Sequence, residues 1–265
     1  MHPAGNIILP GELLNILKDN KSGSRKLLKR LNSFFVKEAG NFNSTRKFIP
    51  VLEKELSSFE TVISYLNGLS KIKSHSTLLA YLAAFKDEEE TIYKHIFKRI
   101  FPYIKDNKRI FVISNSFTVF NILALLKKEG ANFKVFVSES RPELEGRKFA
   151  LMLARLNIKT ELITDAMMPA FIEKCDSAII GADRILKNGN IINKTGSRTA
   201  AILCKNFNKP LFVTADKRKK SSSSLFKPQH KPANEVWRIK NNTIKVHNYY
   251  FEEVEKKYIT RLFTD

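Results

Sequence analysis

Five short apolar segments alternate with amphipathic stretches in the second half of the sequence, and this alternation constrains the fold more than any other feature. The segments are 110–113, 134–137, 160–163, 177–180 and 211–214. They are rich in β-branched residues and nearly continuous in hydrophobicity, as strands buried on both faces are. Strand–helix–strand repeats with short connections require right-handed crossovers and a parallel sheet. The sequence therefore predicts an α/β fold, with a parallel Rossmann-like sheet in a domain at 106–265.

The first part of the chain has a different pattern, in which apolar residues recur at helical spacing. Leu27, Leu28 and Leu31 illustrate it, and chain breakers such as Gly68 separate these stretches from one another. This pattern predicts an all-helical N-terminal domain at 1–105. No catalytic constellation stands out within that domain.

Hydropathy and cysteine content exclude several classes of protein. No stretch approaches the roughly 20 apolar residues that a membrane span requires. Residues 1–10 lack the basic start and the cleavage site of a secretory signal, which predicts a cytoplasmic protein without a membrane partner. Cys175 and Cys204 lie within apolar or helical segments, and we interpret them as buried reduced thiols rather than a disulfide or a metal pair. We predict no metal and no cofactor.

The formal net charge of +20 raises the question of nucleic acid binding. Residues 1–110 carry 19 basic and 11 acidic side chains, and residues 111–265 carry 27 and 15, so the excess is spread over both halves. We therefore interpret the clusters at 21–30 and 217–220 as solvated faces and do not expect a nucleic acid partner. A positive field favours small anionic ligands of any kind.

Polar side chains follow the predicted strands, at the edge where open α/β sheets bind their ligands. Ser114 follows the first strand, Arg141 the second and Asp183 the fourth. The loop after the fourth strand continues to Asn193 and Lys194 and leads into a helix that starts near 196–197. The sequence therefore gathers a hydroxyl, an amide, a carboxylate and two cations at one rim.

These residue types suit a phosphorylated polyol. Arg141 offers a planar fork of donors that matches phosphate, and the ammonium of Lys194 adds a compact charge. Asn193 can bridge a hydroxyl, and the helix start at 196–197 would expose backbone N–H groups to an anion. Asp183 accepts hydrogen bonds when ionised and could hold two sugar hydroxyls or move a proton between them.

Structural interpretations compete with these functional ones. Arg141 could pair with a nearby glutamate, Asp165 is most simply a helix N-cap, and Ser114 could cap the helix that follows it. Asp183 is the hardest to explain structurally. It directly follows a buried apolar run, where a carboxylate without a purpose is costly.

Three segments together resemble a known superfamily. They are SESRPELEGRKFA at 138–150, GADRILKNGNIINKTGS at 181–197 and CKNFNKPLFVTA at 204–215. Their order and spacing are similar to those of the superfamily that joins methylthioribose-1-phosphate isomerase, ribose-1,5-bisphosphate isomerase and the alpha, beta and delta subunits of translation initiation factor 2B. The segment NKSGSRKLL at 20–28 resembles, more weakly, a loop that approaches the ligand in the helical domain of that superfamily.

The resemblance assigns site residues by position. It implies that Asp183 is the catalytic aspartate of the isomerases and that Ser114 stands where they carry a catalytic cysteine. A Ser-Gly-Ser segment at 22–24 takes the place of an Arg-Gly-Ala phosphate motif, and His75-Ser76-Thr77 takes the place of Arg-Pro-Thr. The positions of this chain that match substrate-contacting positions are Gly23, Ser24, Arg141, Glu145, Asn193 and Lys194.

Two functions follow from the resemblance. The first is a sugar-phosphate-binding protein that acts as an aldose–ketose isomerase on a phosphorylated pentose. It is supported by Asp183, Asn193 and Lys194. The alternative is a non-catalytic regulatory protein, similar to an initiation factor 2B subunit, that senses a sugar phosphate or nucleotide. Ser114 favours it because a hydroxyl is far less acidic than a thiol, and Glu145 favours it because isomerases often have glutamine there. The resemblance also implies a homodimer or a higher homo-oligomer that assembles through its α/β domains.

Overall fold

The computed structural model describes residues 8–19, 23–57, 59–241 and 243–265, and the side chains of 86–90 are not described. Two compact units, 1–91 and 92–265, divide the chain within one long helix. The predicted domain boundary between 105 and 106 lies just after the end of that helix and remains a prediction. Within the described ranges, no helix is both long enough and apolar enough to cross a membrane.

The first unit is helical, as its periodicity predicts. In α2 the buried residues Leu27, Leu31 and Phe35 form one apolar face. That face packs against α1 and α5, while α4 packs against α5. The helices that begin in this unit are α1 Gly11–Leu17, α2 Ser24–Lys37, α3 Phe42–Thr45, α4 Ile49–Glu55, α5 Glu60–Ser70 and α6 His75–Ile104.

The second unit is built on a six-stranded parallel sheet with the order β3-β2-β1-β4-β7-β9. Each of the five predicted strands is present within one residue of its expected position. The four interior strands β2, β1, β4 and β7 are almost entirely buried, which is why they are continuously apolar in sequence. The expectation of burial on both faces is wrong for 160–163, because β3 lies at the edge of the sheet and is largely exposed. The strands are β1 Arg109–Val112, β2 Lys134–Ser138, β3 Lys159–Ile163, β4 Ser177–Gly181, β7 Leu211–Thr214 and β9 Arg261–Phe263.

Helices cover this sheet, and two separate apolar cores lie within the unit. The helices are α7 Phe117–Lys128, α8 Glu145–Ala154, α9 Met168–Ile172 and α10 Ser197–Asn206. Cys175 and Cys204 are both free and fully buried, as predicted. Burial raises the pKa of Cys175 to about 11 and that of Cys204 to about 12, which keeps both thiols protonated at neutral pH.

A second, smaller sheet forms where the sequence indicated only a loop. Strands β5 Arg184–Ile185 and β6 Ile191–Lys194 make an antiparallel hairpin, and β8 Phe251–Val254 adds to the other side of β6. The turn of this hairpin contains the Asn-Gly pair at 188–189, where Gly189 has φ +85°. The tail at 249–265, whose alternation predicts one final strand, supplies both β8 and β9. This small sheet carries Lys194 to the carboxyl edge of the large one.

Candidate functional site

A shallow pocket, open to solvent, lies at that edge. It brings together three of the predicted residues, Arg141, Glu145 and Lys194, with one that the sequence did not single out, Glu143. The full lining is Ser140, Arg141, Pro142, Glu143, Glu145, Lys194, Thr195, Tyr249 and Tyr250. The loop after β2, the end of β6 and the start of β8 therefore build the site together.

The loop after β2 is held by Asp165, which lies after β3. Its carboxylate accepts the backbone N–H of Ser140 at 2.9 Å and that of Arg141 at 2.7 Å, and it also accepts the hydroxyl of Ser138. The interpretation of Asp165 as a helix N-cap is therefore wrong, because both of its oxygens bind the neighbouring loop. This anchoring fixes where Arg141 enters the pocket.

Gly146, at the start of α8, allows the same loop to close on the sheet. A Cβ atom there would lie 1.8 Å from the carbonyl oxygen of Ser138, so only glycine fits. The backbone N–H of Gly146 donates to Glu139 O at 3.2 Å. The Glu-Gly pair at 145–146 thus places the Glu145 carboxylate over the carboxyl end of β2.

Lys194 lies between two carboxylates at the centre of the pocket. Its Nζ donates to Glu143 Oε2 at 2.9 Å and lies 3.1 Å from Glu145 Oε1. Burial alone would lower the pKa of the Lys194 ammonium, but the charges of Glu145 and Glu143 outweigh it, so that pKa is raised. The ammonium also lies 4.9 Å from the centre of the Tyr250 ring. A permanently charged lysine is therefore built into the site and already paired.

Glu143 is the least satisfied group of the pocket. Its side chain is only 8% exposed, and burial raises the pKa of its carboxyl although Lys194 opposes the shift. Its Oε1 atom is buried and has no hydrogen-bond partner among the described residues. A buried carboxylate oxygen without a donor costs free energy, which a ligand hydroxyl could recover.

Ser114 joins this network through its hydroxyl. It has a positive φ of 65°, which turns the side chain back toward the β2 loop. Its Oγ donates to Glu145 Oε1 at 3.2 Å, and its backbone N–H donates to Ser140 Oγ at 2.8 Å. The capping of α7 falls instead to Ser116, whose hydroxyl accepts from the N–H of Val119. The structure therefore brings Ser114 next to Glu145 and Lys194.

Asp183 directly precedes β5, and Asn193 lies in β6, the other strand of the small hairpin. The half-buried Asp183 is close enough to Lys194 for its charge to contribute to the raised pKa of that lysine. Its carboxylate forms no hydrogen bond with the part of the chain that the structure describes. Asn193 is buried, and its Nδ2 donates to Ser197 Oγ at 2.8 Å. The amide of Asn193 therefore supports the start of α10. The carboxylate of Asp183 is more available than this amide for contact with a ligand.

The start of α10 is not open to an external anion, contrary to the expectation for 196–197. Glu252 of β8 accepts the backbone N–H of Arg198 at 2.8 Å, and it also accepts those of Gly196 and Ser197. Burial outweighs these donors, so the pKa of Glu252 is raised. An internal carboxylate thus fills the anion position that the sequence assigned to a phosphate.

Gly23 and Ser24 lie in the other unit. Gly23 is the N-cap residue of α2, and Ser24 is its buried first residue. Their assignment as ligand contacts remains a prediction, and Ser22 of the same motif lies outside the described residues. Within the described ranges, no group of three or more His, Cys, Asp or Glu side chains is placed to hold a metal ion.

Comparison with known proteins gives relatives of two kinds. The chain is 38% identical over 114 residues to translation initiation factor eIF2B subunit alpha of Dictyostelium discoideum. The aligned region covers 43% of this chain and 36% of that protein. It is 26% identical over 228 residues to ribose 1,5-bisphosphate isomerase of Archaeoglobus fulgidus, and that alignment covers 80% of this chain and 73% of the isomerase. The chain thus aligns with little more than a third of the Dictyostelium protein.

Solved structures share the fold. The translation initiation factor eIF-2B of Pyrococcus horikoshii OT3 superposes with a TM-score of 0.84 at 24% identity, covering 97% of this chain and 96% of that one. A chain of the tetrameric eIF2B-beta2-delta2 complex from C. thermophilum superposes with a TM-score of 0.75 at 15% identity, covering 97% and 92%. The profile of the Initiation factor 2 subunit family matches residues 15–265, nearly the whole sequence. This chain therefore belongs to the Initiation factor 2 subunit family.

Proposed function

We propose that this chain binds a phosphorylated sugar in the pocket around Lys194 and holds it without isomerising it. The observation that carries the proposal is the unpaired Oε1 of Glu143, which is buried in the pocket beside the ion-paired Lys194 and Glu145. A carboxylate oxygen is acceptor-only, so it requires a donor such as a sugar hydroxyl. The Glu145 carboxylate and the Lys194 ammonium, 3.1 Å apart beside it, can hold further hydroxyls.

The phosphate of such a ligand is best placed at Arg141. The guanidinium is exposed and donates through Nη2 to the carbonyl oxygen of Val236 at 3.0 Å, which leaves its other donors for a ligand. Lys194 is less suited to a phosphate because two carboxylates already neutralise it. The pocket thus separates a sugar-holding side, rich in carboxylates, from a phosphate-holding edge.

The absence of turnover rests on Ser114. Moving a proton between two sugar carbons requires a group that exchanges protons near neutral pH. A serine hydroxyl does so only with an activating base. Here the Ser114 hydroxyl donates to Glu145, whose carboxylate is already committed to Lys194. Glu145 is therefore a poor base for Ser114.

A second candidate function, aldose–ketose isomerisation of a phosphorylated pentose, is favoured by one observation. Asp183 has a half-buried carboxylate that makes no hydrogen bond with the described residues, next to the charge of Lys194. Such a group could act as a general base without help from Ser114.

The test pairs binding with turnover. A thermal-shift panel of pentose phosphates should contain a ligand that stabilises the fold by roughly 2.7 kcal/mol at 100 times its dissociation constant. NMR should show no aldose-to-ketose conversion of that ligand. Glu143→Gln should weaken its binding by about tenfold, because an amide gives up an ionic acceptor. If no sugar phosphate shifts the melting temperature, the binding proposal is wrong.

Variants decide between the two candidate functions. If NMR detects turnover, Asp183→Asn should reduce it by about 10²–10⁴ while binding changes only a few-fold. Turnover of that kind would replace our proposal with the isomerase. Ser114→Cys supplies a thiol at the position of the isomerase cysteine. Its failure to produce turnover, with binding intact, supports a binding protein.

We also infer that the chain assembles into a homodimer or a larger homo-oligomer through the second unit. The C. thermophilum structure is a tetrameric eIF2B-beta2-delta2 complex, which supports assembly as a property of this fold. Several apolar side chains of the second unit are substantially exposed, among them Leu151 and Leu162. Burial of such residues in an interface is favourable.

A further inference from the structure

The positive charge of this chain is concentrated in one irregular segment. Residues 217–247 carry nine basic side chains and one acidic side chain, eight of the twenty excess positive charges in about a ninth of the sequence. A count of charges over the two halves of the chain does not reveal this concentration. Apart from short 3₁₀ turns at Lys217–Lys219 and Ala233–Glu235, the described residues of the segment form no helix.

The acidic residue of the segment is turned inward. Glu235 accepts Asn248 Nδ2 at 2.9 Å and also accepts the hydroxyl of Tyr250. Four cations, in contrast, are exposed and form no hydrogen bond or ion pair with the residues that the structure describes: Lys227, Arg238, Lys240 and Lys245. The exposed, unpaired charges of the segment are therefore cationic, and they are available to a partner.

Partly or fully exposed aromatic rings lie within the same segment or next to it in sequence. The rings of His230 and Tyr249 lie 4.6 Å apart, and His247 stacks on Tyr249 at 6.5 Å. Trp237 is 54% exposed. The bond from Asn248 to Glu235 ties the turn that carries Trp237 to the residue next to His247 and Tyr249. We call this group of rings and the four cations the basic aromatic surface.

Each cation lies close in sequence to one of the rings. Arg238 follows Trp237 directly, and Lys240 comes three residues after it. Lys245 precedes His247 by two residues, and Lys227 precedes His230 by three. Since an extended residue spans about 3.3 Å, each charge can reach a backbone phosphate while its neighbouring ring contacts a base.

We propose that the basic aromatic surface binds single-stranded nucleic acid. Cations that track phosphates, interleaved with rings on which bases stack, are the two elements of such sites. The surface offers no regular helix or strand to enter a duplex groove, which favours single strands over double-stranded DNA. An acidic peptide would use the charges but would have no base for Trp237 to stack on.

The experiment uses the intrinsic fluorescence of Trp237, which is the only tryptophan of the chain. Titration with an RNA oligonucleotide of about 12 uridines, a length typical of single-strand sites, should quench it. The logarithm of the association constant should fall with the logarithm of the salt concentration with a slope of about −3, as expected for four phosphate contacts. A DNA oligonucleotide of equal length should behave similarly.

Variants distinguish binding at the basic aromatic surface from non-specific attraction to the positive charge of the chain. Lys240→Gln with Lys245→Gln should reduce the salt slope by about 1.4. The matched pair Lys127→Gln with Lys128→Gln, on exposed lysines at the end of α7, should leave it unchanged. Trp237→Leu should weaken binding of a dye-labelled RNA by about 5- to 140-fold, the share of one stacked base.

Several results would overturn the proposal. Absence of quenching would show that the surface does not bind the strand. An equal reduction of the salt slope by the two pairs of lysine variants would show the same. Displacement of the RNA by a polyglutamate peptide at equal charge concentration, with Trp237→Leu without effect, would show a surface that recognises charge only. Glu143→Gln should not change RNA binding, because Glu143 is not part of the basic aromatic surface, although Tyr249 belongs to both that surface and the sugar-phosphate pocket.

Discussion

Replacing Lys194 with methionine should destabilise the second unit strongly. The ammonium lies 2.9 and 3.1 Å from two carboxylates that are only 8% and 15% exposed, and it is itself 17% exposed. Removing one partner of a buried ion pair costs about 3–5 kcal/mol, because it leaves an uncompensated charge. For a unit of this size, such a loss lowers the melting temperature by roughly 6–20 °C at neutral pH. Circular dichroism would measure it.

The loss should depend on pH in a defined direction. Burial already raises the pKa of Glu143 above its ordinary value of 4.5, and the loss of Lys194 removes the charge that opposes this shift. A carboxyl whose pKa is higher in the folded state stabilises the fold fully below 4.5, and this contribution is lost as the pH rises through the folded pKa. The difference in melting temperature between Lys194→Met and the wild type should therefore be smaller at about pH 5 than at neutral pH.

Two controls make the prediction specific. The triple variant Lys194→Met, Glu143→Gln, Glu145→Gln leaves no unpaired charge and should recover most of the loss. Lys134→Met removes the partner of Glu161 from an exposed pair and should cost less than about 1 kcal/mol. The reasoning is refuted if Lys194→Met melts within about 2 °C of the wild type, or if the difference does not change with pH.

Three further predictions concern packing, loop anchoring and assembly. Gly146→Ala should cost about 3 kcal/mol in urea denaturation, because its Cβ would meet a backbone carbonyl oxygen. Gly130→Ala, at φ +81° in open space, should cost about 1–2 kcal/mol, and equal losses would contradict the packing argument. Asp165→Asn should cost about 1–3 kcal/mol and weaken sugar-phosphate binding, since it anchors Ser140 and Arg141; unchanged calorimetric affinity would separate this loop from the ligand. Light scattering at tens of micromolar should show a homodimer, and a monomer would contradict the inferred assembly.

The sequence predicts the large sheet well because its interior strands are buried on both faces. Such strands are continuous apolar runs, and their short length and β-branched residues distinguish them from buried helices. The small sheet was missed because β5 has only two residues and β6 carries polar residues at its end. The turn at Gly189 was recognisable, but the pairing of β6 with β8 joins segments about 60 residues apart, which no local pattern reveals.

The site was predictable only where a residue type is unusual for its position. Arg141 and Lys194 follow predicted strands and were identified on that basis. Glu143 resembles an ordinary surface glutamate, and its partner Lys194 is 51 residues away. Glu252 lies in a strand whose alternation gave its position but not its partner, Arg198, 54 residues away. Groups whose role depends on distant partners become visible only in the folded chain.

The carboxylate of Glu252 at the start of α10 acts as a tethered counter-ion. Because the strand that carries it is part of the fold, its effective concentration at the helix end is in the millimolar range or above. A free phosphate would have to displace it before it could reach those N–H groups. The helix therefore needs no dissolved anion to balance its dipole, and in the proposed function the selection among anionic ligands falls to Arg141 at the edge of the pocket.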